Sequence, residues 1–70
     1  MRIDKYVYRR SLIRKGMLQL DLAIQIGVTP EYLSKVVNGN LKLSLNMAIK
    51  ISEALEIEMS ELTALEPVKN

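Results

Sequence analysis

Helix-ending and helix-starting residues recur at short intervals along this chain and limit it to a series of short helices. Gly16, Gly27 and Gly39 can each supply the left-handed backbone that ends a helix. Thr29 followed by Pro30 is the clearest start, because threonine caps a helix and proline at the first helical position loses no hydrogen bond. A chain divided in this way is predicted to fold as a bundle of short helices.

Five helices are predicted, which indicates an all-α fold, a compact five-helix domain. Asp4, Thr29 and Ser44 are the predicted caps of the first, third and fourth helices. The predicted helices cover residues 5–15, 19–26, 29–37 with the cap included, 45–55 and 59–65. The domain is expected to span residues 1–66, and residues 67–70 are expected to form a flexible tail.

Apolar residues recur at helical spacing and predict which faces are buried. In the second and third helices the predicted inner residues are Leu22, Ala23, Ile26, Leu33, Val36 and Val37. The fourth helix carries a wide apolar arc, which predicts the central helix of the core. That arc consists of Leu45, Ala48, Ile49, Ser52 and Leu55, with Met47, Ile51 and Ala54 beside them.

The composition excludes several classes of function. The chain has no cysteine and no histidine, which removes disulfides, the usual zinc ligands and the commonest general base. Seventy residues barely enclose a pocket, so neither an enzyme nor a cofactor is expected. No apolar run reaches the roughly 18 residues that span a bilayer. We therefore predict a cytoplasmic protein that does not contact a membrane.

Charge is divided unevenly along the chain. Residues 1–50 hold nine basic and three acidic side chains, whereas residues 51–70 hold one lysine and five glutamates. A basic first part suits a polyanion such as nucleic acid, although a solvated surface of mixed charge explains the same pattern.

The spacing of Ala23, Gly27, Leu33 and Val36 is the most specific signal in the sequence. Where two helices cross closely at a short turn, only a small side chain such as Ala23 fits, and the turn needs a positive φ that Gly27 adopts without strain. Leu33 and Val36 then anchor the second of these helices in the core. This pattern predicts a helix-turn-helix formed by the second and third helices.

From about residue 8 to residue 65 the chain resembles the phage-repressor and Cro-type, or XRE-like, helix-turn-helix family of bacterial transcriptional regulators. The matching residues are Gly16-Met17-Leu18-Gln19, Leu22-Ala23, Ile26-Gly27-Val28, Tyr32-Leu33-Ser34-Lys35-Val36, Asn38-Gly39, Ala54-Leu55-Glu56-Ile57 and Glu61-Leu62. The resemblance implies that the third helix enters the major groove of double-stranded DNA and that Gln19 contacts a phosphate. The DNA-binding residues that we predict are Gln19, Thr29, Pro30, Glu31, Tyr32, Ser34, Lys35, Asn38, Asn40 and Lys42.

The chemistry of these side chains suggests a role for each. Lys35 can donate to guanine, and Pro30 can contact a thymine methyl group. Glu31 either accepts from the amine of cytosine or serves only as a partner of the helix dipole. Tyr32 either stacks on the sugar-phosphate backbone or packs over the turn. Gln19, Asn38, Asn40 and Lys42 lie at helix ends or in the following loop, where amide and ammonium groups can contact phosphates.

The chain departs from the family pattern in its core and at three helix ends. Many relatives have an arginine and a glutamate where Leu12 and Val37 stand, and these form a buried ion pair; we predict that Leu12 and Val37 touch instead. Leu18 stands where the family prefers a Ser or Thr cap, Leu43 replaces a common proline, and Glu56 takes the usual position of a glycine.

Leu20 and Ile24 place two apolar residues on a side of the second helix that relatives keep polar. They either mark a site for a protein partner or are covered by Ile3 and Tyr6.

These features predict a transcriptional regulator, in particular a repressor, that binds a two-fold operator as a homodimer. The predicted dimer surface is the last helix, with Met59, Leu62 and Leu65. The alternative is a protein-interaction module, or an antitoxin-like protein, that uses Leu20 and Ile24 or the acidic last helix and binds DNA only secondarily.

Overall fold

The computed structural model describes residues 1–64, which form five helices and one pair of very short strands. The helices are α1 (Lys5–Lys15), α2 (Gln19–Ile26), α3 (Pro30–Val37), α4 (Leu45–Leu55) and α5 (Met59–Leu62). The strands are β1 (Arg2–Ile3) and β2 (Thr63–Ala64), paired antiparallel. The all-α fold is confirmed, and the strand pair adds to it.

Local hydrogen bonds define the ends of the first four helices as the sequence predicts. The Asp4 side chain accepts from the amides of Tyr6 and Val7, and the Ser44 side chain accepts from the amide of Met47. Gly16 ends α1 with a φ of 64°. Leu18 has no side-chain oxygen to cap α2, but the Asp21 carboxylate reaches back and accepts from the Leu18 amide at 2.8 Å.

The core lies between α4 and the other helices and consists almost entirely of aliphatic side chains. Its largest fully buried members are Leu22, Leu33, Val36, Ile51, Leu55 and Leu62. Leu12 and Val37 both belong to this buried cluster, as does Leu43, which stands where relatives often have proline. The direct contact between Leu12 and Val37 stays a prediction.

The predicted inner face of α4 is partly wrong. The buried side consists of Met47, Ala48, Ile51, Ser52, Ala54 and Leu55, whereas Leu45 and Ile49 are exposed. The apolar arc of this helix is wider than the surface that the neighbouring helices cover, so one edge of the arc stays in solvent.

The predicted course of α5 to residue 65 is also wrong within the described residues, because the helix ends at Leu62. Thr63 is extended, with φ −105° and ψ 148°, and its hydroxyl donates to the carbonyl of Met59 at 2.9 Å. The Asp4 amide donates to the Leu62 carbonyl at 2.7 Å. The chain therefore leaves the helix to pair with the N-terminal segment.

The dimer surface predicted on the last helix is contradicted at its centre. Leu62 is 0% exposed and packs inside its own chain, so it is not available to a second copy. Met59 is half-buried against the same core, and Leu65 lies outside the described residues. The apolar spacing of the last helix arises because Met59 and Leu62 pack inside their own chain, not because they contact a second copy.

Glu56 ends α4 in the left-handed conformation, with φ 56° and ψ 45°. Among the described residues it is the one non-glycine with a positive φ, and its carboxylate forms an ion pair with Lys15 at the end of α1. An L-residue in this conformation is strained by roughly 1–2 kcal/mol, whereas an exposed ion pair returns at most about 1 kcal/mol.

We expect Glu56→Gly to raise the melting temperature by about 2–4 °C, because the relief of strain slightly exceeds the lost ion pair and the added entropy of the unfolded chain. Thermal unfolding followed by circular dichroism measures this shift. Glu56→Ala is the control, since it removes the ion pair but keeps the strain. A glycine variant no more stable than the alanine variant would show that the relief of strain does not exceed the added entropy of the unfolded chain, which would contradict the prediction.

Candidate nucleic-acid interface

The turn between α2 and α3 sets the orientation of the candidate site. Ala23 is fully buried where the two helices cross, and its carbonyl accepts from the amides of both Gly27 and Val28 at 2.9 Å. Gly27 has a φ of 78°, and an added Cβ would meet nothing within 4 Å. Glycine is therefore favoured here by its backbone conformation and not by lack of space.

Helix α3 begins at a fully formed cap. The Thr29 hydroxyl accepts from the amide of Tyr32 at 3.1 Å, and Pro30 occupies the first helical position. Because the Thr29 oxygen is used as an acceptor, its proton stays available for donation to a group outside the helix. Pro30 is half-buried at the side of the helix, which leaves only part of its ring accessible.

The outward face of α3 is polar and lies opposite its buried face. Glu31, Ser34, Lys35 and Asn38 follow the i, i+3, i+4, i+7 spacing of one helix face. The structure places Glu31, Lys35 and Asn38 in solvent and Ser34 half-buried, while Leu33, Val36 and Val37 are buried on the other side. The buried apolar residues of α3 thus fix the helix in the core, and its opposite side presents a short row of polar side chains.

The end of α3 and the following loop extend this row. The Asn38 amide donates to the Ser34 hydroxyl at 3.3 Å, which links two predicted site residues. The Lys35 carbonyl accepts from the amides of Asn40 and Leu41, at 2.8 and 3.2 Å, so the loop folds back on the helix end. Asn40 and Lys42 are exposed beside it.

Tyr32 lies at the edge of the outward face. Its ring lines a shallow pocket with Gly27, Val28, Thr29 and Met47, and it is partly exposed. This position is compatible with packing over the turn, and stacking on the sugar-phosphate backbone stays a prediction.

Gln19, the first residue of α2, is held by a buried tyrosine of α1. The Tyr8 hydroxyl donates to Gln19 Oε1 at 2.9 Å. Burial raises the pKa of Tyr8 to about 12, so its hydroxyl keeps its proton at neutral pH. A tyrosine on the inward face of a helix is the signal for such a bond, since a buried hydroxyl needs a partner.

The basic residues of α1 are partly engaged within the protein. Arg10 stacks over the ring of Tyr6 at 5.6 Å from its centroid, and Lys15 pairs with Glu56. Arg9 and Arg14 are exposed. Arg10 and Lys15 therefore make contacts within the protein surface, and these contacts do not require DNA.

Leu20 and Ile24 lie uncovered on the outer side of α2. They are 51% and 70% exposed, so the prediction that Ile3 and Tyr6 cover them is wrong. Ile3 is buried in the core, where β1 packs near α3, and Tyr6 is 69% exposed on α1.

Two further properties concern the described residues, 1–64. They contain no cluster of acidic, histidine or cysteine side chains able to hold a metal ion. None of their helices is both long and apolar enough to cross a bilayer.

A family model described as helix-turn-helix matches residues 9–62, which is most of the chain and includes all of α2, α3 and α4. No curated protein sequence matches at a significant level.

Proposed function

Because the chain belongs to the Cro/C1-type helix-turn-helix family of DNA-binding regulators, we propose that it is a sequence-specific transcriptional repressor that binds a two-fold operator as a homodimer. In this proposal α3 lies in the major groove. The base-reading residues are Lys35 and Thr29 and, beside them, Ser34, Glu31 and Pro30. The phosphate contacts come from Gln19, Asn38, Asn40 and Lys42, with Tyr32 at the edge of the face.

The observation that supports this proposal is the division of α3 into two faces. Leu33, Val36 and Val37 anchor the helix in the core, and the opposite face carries hydrogen-bonding and charged side chains in solvent. Lysine can donate to the O6 and N7 of guanine, a contact that discriminates by about 1–3 kcal/mol. The row therefore has the chemistry of direct readout, and a helix fits the width of the major groove.

The homodimer follows from the size of the reading surface. An eight-residue helix reaches only a few base pairs, and two copies on half-sites one helical turn apart would double the contacts. Since Leu62 is buried, the dimer surface is not the one that the apolar spacing of the last helix suggested.

Selection of bound duplexes from a random DNA pool tests the proposal. We expect an inverted repeat with half-site centres about 10–10.5 base pairs apart. Affinity for the selected duplex should fall with salt at a slope of about −0.9 per neutralised phosphate. Recovery of one unrepeated half-site would contradict the dimer, and recovery of unrelated sequences would contradict sequence-specific binding.

A second candidate function is a protein-interaction module, which the exposure of Leu20 and Ile24 favours. Apolar side chains that share one face of a helix and remain in solvent can form a contact surface for another protein. In that case Leu20→Ser with Ile24→Ser would leave DNA affinity unchanged but abolish a phenotype of the chain in cells, such as repression of a reporter gene.

A further inference from the structure

The Tyr8 hydroxyl is a polar group at the edge of an aliphatic core. Tyr8 is 2% exposed, and its hydroxyl donates to Gln19 Oε1 at 2.9 Å. A phenylalanine would fill nearly the same space without a buried hydroxyl that needs a partner. Because the hydroxyl contributes little to packing, its main consequence is the hydrogen bond that it forms with the Gln19 side chain.

The bond determines which way the Gln19 amide faces. A hydroxyl that donates must meet the amide oxygen, so the NH₂ group is turned to the opposite side. Gln19 is half-buried at the first position of α2, with part of its side chain in solvent. The amide NH₂ carries two donors, and phosphate oxygens only accept.

We propose that Tyr8 is a positioning residue for DNA binding, whose hydroxyl holds the Gln19 amide with its NH₂ group outward, toward a phosphate. This inference rests on the proposed function and adds to it a residue outside the helix-turn-helix. Without the hydroxyl, the amide rotates freely and presents its oxygen to the phosphate in one of its two orientations. The amide oxygen and the phosphate oxygen repel each other in that orientation. Part of the binding energy is then spent on turning the NH₂ group back toward the phosphate.

The state of the hydroxyl suits this role. Since burial raises the pKa of Tyr8 to about 12, the phenol remains a donor throughout the neutral and mildly alkaline range. The orientation of Gln19 is therefore independent of pH where the protein binds DNA.

A double-mutant cycle tests the proposal with two duplexes of equal length, the one recovered by selection and an unrelated one. We expect Gln19→Ala to weaken binding about tenfold for each of the two subunits, the value for one lost hydrogen bond to a charged group. Tyr8→Phe should weaken binding about threefold per subunit alone and not at all in the Gln19→Ala background. Tyr6→Phe is the matched control: it removes an exposed tyrosine hydroxyl from the same helix and should bind as the wild type does.

Two further readouts separate positioning from a general structural effect. Both Tyr8→Phe and Gln19→Ala should lower affinity for the two duplexes by the same factor, because a phosphate contact carries no sequence information. Neither should change the salt slope, since no charge is lost, whereas Lys42→Ala should reduce its magnitude by about 1.8, which is about 0.9 for each of the two subunits. The melting temperature of Tyr8→Phe should stay close to that of Tyr6→Phe.

Two results would overturn the inference: wild-type affinity in Tyr8→Phe, or the same threefold loss from Tyr8→Phe whether or not Gln19 is present. Failure of the proposed function looks different, because the wild-type protein itself would then bind neither duplex or bind both with the same affinity.

Discussion

Lys35→Ala is expected to lower affinity for the selected duplex by about tenfold to a hundredfold, and to relax the preference for guanine at one position of each half-site. Lys35 is exposed on the outward face of α3, and a lysine contact with guanine is worth about 1–3 kcal/mol. Titration of labelled duplexes by fluorescence anisotropy, with every base tested at each position, measures both effects. Combined with Gln19→Ala, the substitution should abolish the shifted band in a gel assay.

The matched control is Lys50→Ala. Lys50 is also an exposed lysine, but it belongs to α4, where it lines a shallow pocket with Gln25 and Glu53. It removes the same charge and should change affinity only slightly. If Lys50→Ala weakened binding as much as Lys35→Ala does, net charge and not the α3 face would account for the affinity.

Leu12→Arg is expected to destabilise the fold by about 3–5 kcal/mol, a large share of its total stability. Leu12 and Val37 are both buried in the same cluster, and an arginine at this position would place an unpaired charge there. A domain of this size has a total stability of only about 4–10 kcal/mol. Thermal and urea unfolding, followed by circular dichroism, measures the loss.

Two companion variants make this test specific. Leu12→Met keeps the volume and should cost less than about 1.5 kcal/mol. Leu12→Arg combined with Val37→Glu should recover much of the lost stability, because the pair restores the ion pair of many relatives. An unchanged melting temperature in Leu12→Arg, or no recovery in the double variant, would refute the contact between Leu12 and Val37.

The sequence predicts the first four helices well because their ends depend on nearby residues. Asp4, Thr29 and Ser44 each accept from an amide two or three residues ahead, and Gly16 and Gly27 end their helices through their own backbone conformation. Such signals are visible in a few consecutive letters. The turn between α2 and α3 follows from the same local chemistry.

The features that sequence reasoning missed depend on residues far apart along the chain. Helix α5 ends early because Thr63 pairs with Ile3, and the buried edge of α4 depends on which helices lie against it. Leu62 is predicted correctly as apolar but wrongly as a dimer contact, because spacing does not distinguish a core from an interface. The bond from Tyr8 to Gln19 joins residues on different helices, and although a buried tyrosine indicates that its hydroxyl has a partner, no sequence pattern identifies that partner.

The pairing of β1 with β2 has a consequence for how the molecule assembles. It joins residues about sixty positions apart, so forming it early would require closing a loop of nearly the whole chain, at a large cost in entropy. Contacts between neighbouring helices close much shorter loops and form sooner. The strand pair should therefore form last during folding, when the helices have already packed.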